Sequence, residues 1–166
     1  MADKVIVTAL DQNGEAIPES MSREGIMLHY TFNRRFTLRF RPTERLEQQA
    51  FCTAKIYYDG RRYDLTTDAG KEPNEVVQGY LIPKEQDVVV DRWGIAGPGL
   101  RFGVFPFHSF MFGPEMARLR VRVYLPPASI VADVAPGSII PINRKLITSG
   151  ELKPVETIWV NWVILD

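Results

Sequence analysis

Side chains able to act as a nucleophile, a general base or a soft metal ligand are scarce in this chain of 166 residues, which holds two histidines, His29 and His108, and one cysteine, Cys52. His29 lies within IMLHYTF and His108 within FPFHSFMF. In such apolar strand contexts a hydrogen-bonded structural imidazole is the commoner outcome than a catalytic one. A lone cysteine excludes an internal disulfide and a thiolate metal cluster, and its neighbours set it on the apolar face of a strand, where a thiol behaves as a small apolar group.

The carboxylates are no more suggestive. Asp87, Asp91, Glu72 and Glu75 fall in polar loops without the pairing a glycosidase needs. Asp64, Asp68 and Glu72 lack the intervening oxygen ligands and central glycine of a calcium loop. Neither a GxGxxG nor a Walker pattern occurs, and Ser149-Gly150 makes no phosphate cradle. No catalytic residue, metal site or cofactor is assigned, and the protein reads as a non-enzyme.

Two arrangements remain. Arg118, Arg120 and Arg122 project from one strand face, and Arg34, Arg35, Arg39 and Arg41 crowd another. Such rows suit an anion or an acidic partner, while their bland reading is a solvated face balanced by acids nearby. The second arrangement is the stretch DRWGIAGPGLRFGVFPFHSFMFGPEM, which carries Trp93, Phe102, Phe105, Phe107, Phe110, Met111 and Phe112. That density of aromatics exceeds ordinary strand needs, and Pro106 argues against a central buried strand, because proline removes a ladder donor. Trp93 and the five phenylalanines are the interface candidates, with core closure the competing reading. Trp159 and Trp162, three apart, point to opposite faces of one strand, so at least one of them belongs to the core.

The elements that position these residues are strands. In FCTAKIYYDGRRYDLTT, Asp59-Gly60 calls for a two-residue hairpin, which pairs Tyr58 with Arg61, Tyr57 with Arg62, Ile56 with Tyr63, Lys55 with Asp64 and Ala54 with Leu65. Cys52, Ala54, Ile56, Tyr63 and Leu65 then share an apolar face, with Thr53, Lys55, Tyr57, Arg62, Asp64 and Thr66 opposite. Phe36, Leu38 and Phe40 oppose Arg35, Thr37 and Arg39; Leu119, Val121, Val123 and Leu125 oppose Arg118, Arg120, Arg122 and Tyr124. Pro42 and Pro126-Pro127 close these two strands. Further strands are expected at 5–10, 26–32, 76–82, 88–93, 101–105, 130–134 and 157–165, with a tight turn at Asn13-Gly14. Only 42–49 and 113–117 have room for a helical turn.

About ten strands without βα alternation predict a single all-β domain over residues 1–166, an antiparallel β-sandwich of Greek-key or jelly-roll type with little or no helix. A chain of this length buries roughly 70% of its unfolded surface, enough for a core without staples. Lys plus Arg and Asp plus Glu number 20 each, so no net field draws the chain to nucleic acid or an anionic membrane, and nucleic acid is disfavoured as a partner. The N-terminus has too short an apolar run for a signal peptide or a membrane span, which points to a cytoplasmic or virion setting. The leading expectation is a structural or interaction module that self-assembles or binds another protein, of the kind found as small phage or viral capsid-associated or tail components. The alternative is a carbohydrate- or small-ligand-binding module using Trp93, Tyr80 and the loop at 94–99, and an enzyme with an unrecognised site comes third.

Overall fold

The structure is a computed structural model that describes residues 3–11, 13–17, 19–22, 25–31, 37–58, 61–64, 76–90, 116–131 and 134–165. Among them the chain forms β1 (Val5–Leu10), β2 (Glu19–Ser22), β3 (Gly25–Thr31), β4 (Thr37–Pro42), β5 (Ala50–Tyr58), β6 (Arg61–Asp64), β7 (Val76–Ile82), β8 (Val88–Val90), β9 (Met116–Tyr124), β10 (Ile139–Asn143), α1 (Arg144–Thr148) and β11 (Glu156–Leu165). The protein is all-β with almost no helix, built as two sheets. A three-stranded sheet runs β1-β4-β8, and an eight-stranded sheet runs β10-β7-β5-β9-β11-β3-β2 with β6 beside β5. Every strand pair is antiparallel except β3 with β11, which run parallel.

Alternation explains how the sheets meet. In β9, Leu119, Val121 and Val123 are fully buried while Arg120 and Arg122 turn to the other face. Leu38 and Phe40 of β4 do the same against Arg39 and Arg41. The inward residues of both sheets merge into one core with Val5 and Val7 of β1, Cys52 and Ala54 of β5 and Val160 of β11. Phe40 and Tyr80 join the two sheets through rings 5.6 Å apart. Each such aliphatic or aromatic side chain contributes about 1.5–3 kcal/mol by leaving water.

A second apolar layer covers the opposite face of the large sheet at its β10-β7-β5 end. Phe51, Leu81, Tyr124, Ile140, Ile142 and Leu152 are buried there, with Leu146 and Ile147 of α1 packed on them. Tyr124 stands on the face expected for it, but that face is dry here rather than solvated. Thr53 is likewise 6% exposed, where the hairpin pattern alone suggested a solvated position.

The hairpin register is as expected over the described pairs: Tyr58 faces Arg61, Tyr57 faces Arg62, Ile56 faces Tyr63 and Lys55 faces Asp64. The Asp59-Gly60 turn itself and the Ala54–Leu65 pair involve residues outside the described ones. Gly14, at φ +80°, makes the expected tight turn, in which Asp11 Oδ1 accepts the amides of Asn13 and Glu15 at 2.8 and 3.0 Å.

Two points about the elements differ from expectation. The strand expected at 130–134 does not form among its described residues: Pro127 precedes a short 3₁₀ turn at Ala128–Ile130, and Ile130 and Val134 are exposed. Strands β2 and β10 and helix α1 were not anticipated, the helix lying outside 42–49 and 113–117, where alone a helical turn was expected. Asn143 caps α1, its side chain accepting the Lys145 amide at 3.0 Å, and Gly150 at φ +84° follows the helix end. The strand beginning at 88 ends its described part at Val90, and the strand expected at 101–105 lies outside the described residues. Among the described residues no helix is long and apolar enough to cross a membrane.

Candidate functional site

The register of the large sheet sets the β9 arginines into a cationic patch on its outer face. Arg120 stands between Lys55 of β5 and Trp159 of β11, Arg122 between Thr53 and Thr157, and Arg118 between Tyr57 and Asn161. Asp64 and Arg62 extend the rows beyond Lys55 and Tyr57. By register the described rows place Lys55, Arg62, Arg118, Arg120 and Arg122 on one face, with Asp64 across from Lys55. It is not the freely solvated row that the bland reading expects. Arg120, Arg122, Lys55 and Trp159 are half-buried, and Asn161 is fully buried. Lys55, Arg120, Trp159 and Asn161 all have interaction partners.

The outer face of the small sheet is different in kind. Its central strand β4 presents Arg39 and Arg41 outward, with Thr8 and Val89 directly across from Arg39, and Ile6 across from Arg41. Val89 is 56% exposed and Ile6 38%, a pair of aliphatic side chains left in water on one sheet face. Arg41 reaches Asp87 only at 3.7 Å, with both side chains about half exposed. Arg39 is half-buried, and its Nε is shielded from water with no hydrogen-bond partner.

Between the sheets, among the described residues, sits the carboxylate of Glu156. Glu156 accepts the backbone amide of Lys4 at 2.9 Å and that of Val5 at 3.4 Å, which ties the start of β1 in the small sheet to the start of β11 in the large one. Burial raises its pKa from the ordinary carboxylate value, and the two amides pull the other way. Cys52 shares its row, across Val123. Burial, with a smaller contribution from the Glu156 charge, pushes the Cys52 thiol far up, so it stays protonated and cannot act as a nucleophile at neutral pH.

Of the residues singled out in the sequence, Trp93, Phe102, Phe105, Phe107, His108, Phe110 and Phe112 lie outside the described residues, as do Arg34, Arg35, Asp68, Glu72, Glu75 and Asp91. The backbone of His29 lies on β3 opposite Val163. Tyr80 is 1% exposed in the core, so it cannot line a ligand site as the carbohydrate reading required. Among the described residues no three His, Cys, Asp or Glu side chains come together to hold a metal ion. Sequence reasoning missed the exposed pair Ile6 and Val89 and the clasp at Glu156. The first had a signal in the alternation of β1, and the second had none short of the topology. Comparisons with protein-family models, with curated proteins and with solved structures gave no match.

Proposed function

We propose that this protein is a non-enzymatic structural or interaction module that self-assembles, of the kind found as a small phage or viral structural component, capsid-associated or tail. The observation that carries the reading is the outer face of the three-stranded sheet, where Val89 and Ile6 stay in water beside two arginines. Exposed aliphatics that share one sheet face mark a contact surface more readily than scattered ones do. The aromatic run from Trp93 to Phe112 supplies further apolar surface in the sequence, of the composition that interfaces favour.

Light scattering behind size-exclusion chromatography tests the proposal. The expected result is a mass above that of one chain that falls on dilution, and Phe107→Asp is expected to lower it while the far-ultraviolet circular dichroism stays unchanged. A single-chain mass at every concentration up to the millimolar range would overturn the proposal. Unfolding of Phe107→Asp would assign that aromatic to the core and leave the mass measurement as the deciding one.

A further inference from the structure

We infer that Arg122 is the centre of a site for a phosphate group on the outer face of the eight-stranded sheet. The inference does not depend on the self-association proposed above, since it concerns the other sheet and has a readout of its own.

Register fixes the surroundings of Arg122. Thr53 of β5 and Thr157 of β11 stand directly across from it, Arg120 and Tyr124 lie two residues away along β9, and Lys55 and Trp159 flank Arg120. None of these six is an acid, and two are cations. Lys55 stands directly across from Arg120, a like-charge pair of the kind that destabilises a sheet face. Asp64, across from Lys55 on its other side, offsets one of these charges by position. Among the described residues Arg122 makes no ion pair. With 20 basic and 20 acidic residues in the chain, this crowding of cations is a local feature and not a consequence of overall charge.

Burial strengthens the site without closing it. Tyr124 and Thr53 are buried, Arg122 is half-buried beside them, and Thr157 on the other side is exposed. The dry layer under α1 thus ends at Arg122, and an anion that arrives from the Thr157 side meets a guanidinium already partly removed from water, where charge attraction is stronger than on an open surface. The guanidinium fork binds a carboxylate or a phosphate through two parallel hydrogen bonds. A carboxylate then has both oxygens engaged and its single charge matched. A phosphate keeps a further oxygen for the Thr157 hydroxyl and a second charge for the field of Lys55 and Arg120, so it fits this neighbourhood better. Arg120 and Arg118 continue the row along β9 in steps of roughly 6.8 Å, which lets the same face follow successive phosphates of a strand. Free phosphate and a strand phosphate present the same chemistry to Arg122.

Phosphorus NMR of inorganic phosphate, titrated with the full chain at an ionic strength held constant by chloride, decides it. The wild type is expected to broaden the phosphate line, and Arg122→Gln to weaken binding by about tenfold or more. Arg122→Lys, which keeps the charge and loses the fork, is expected to fall between them, and Arg41→Gln on the other sheet to leave binding unchanged. A short single-stranded oligothymidylate, followed by fluorescence anisotropy, separates the two sources. Binding tighter than that of inorganic phosphate, weakened by Arg118→Gln as well as by Arg122→Gln, assigns the phosphate to a strand, and binding no tighter assigns it to a small ligand. No broadening by the wild type, or equal broadening by Arg122→Gln, would overturn the site. If Arg122→Gln fails to fold, undiminished binding by Arg122→Lys overturns it instead. Binding of polyglutamate without any binding of phosphate would also overturn it, in favour of an acidic protein partner.

Discussion

Glu156 holds an acid where the two sheets come together. Its carboxylate accepts two backbone amides at the start of β1, yet burial outweighs them and raises its pKa in the folded chain. A carboxyl group with a folded pKa above its unfolded value binds its proton more tightly when folded. Its contribution to stability is thus complete below the ordinary value near 4.5 and is lost as the pH rises through the folded value. Glu156→Gln keeps an oxygen acceptor and removes the charge. Its stability relative to the wild type is expected to improve between pH 4 and pH 7, by on the order of 1 kcal/mol or less, because the group keeps part of its contact with water. Urea melts at the two pH values measure the difference. A wild-type advantage that grows with pH would show that the amides, not desolvation, dominate.

Among the elements, β10 shows how an edge strand is kept to itself. Gly137 and Ser138 together oppose Leu81: the Gly137 amide donates to the Leu81 carbonyl at 2.8 Å and the Leu81 amide to the Ser138 carbonyl at 2.9 Å. This is a bulge with Gly137 at φ +80°, against Val88, where a Cβ would come within 2.5 Å of a valine methyl group. From that bulge onward alternate residues of β10 face β7, so Ile140 and Ile142 pair inward and Pro141 faces the open edge. Proline has no amide hydrogen to offer there, and the edge loses one of its outward donors. Pro141→Thr is expected to leave the fold intact, with a stability change within about 1 kcal/mol, and to increase concentration-dependent aggregation, read by turbidity and thioflavin fluorescence. An unchanged aggregation rate would remove this role from Pro141. The same proline hides β10 from a reading of IIPIN as a strand, since proline inside a short apolar run argues against one. The β5–β6 hairpin was legible to the residue pair, because Asp59-Gly60 fixes a register that both faces then satisfy. The parallel pairing of β3 with β11 was not legible. No local signal joins two segments so far apart, and the pairing appears only in the sheet, where β11 lies between β9 and β3.

At the scale of the whole molecule, the sheets depend on each other through one core. The chain passes from β4 in the small sheet to β5 in the large one, and from β7 through β8 to β9, so neither sheet is built from a continuous stretch. This interleaving explains why the outer-face site was only half legible: Arg39 and Arg41 stand out as residues, but their proximity to Val89 and Ile6 requires the order β1-β4-β8. It also makes the small sheet a poor candidate for independent stability. Phe40 provides the test, since it is fully buried and its ring meets Tyr80 across the interface. Phe40→Ala is expected to destabilise by about 3–5 kcal/mol, the transfer cost plus the cavity. If the sheets unfold as one unit, amide exchange in β9 of the large sheet accelerates as much as exchange in β4, because both report the same global opening. Faster exchange confined to β1, β4 and β8 would instead make the small sheet a separately opening layer. The outward residues of β4 would then be presented by an element able to loosen, and the outer face that carries the proposed contact would lose its rigid support.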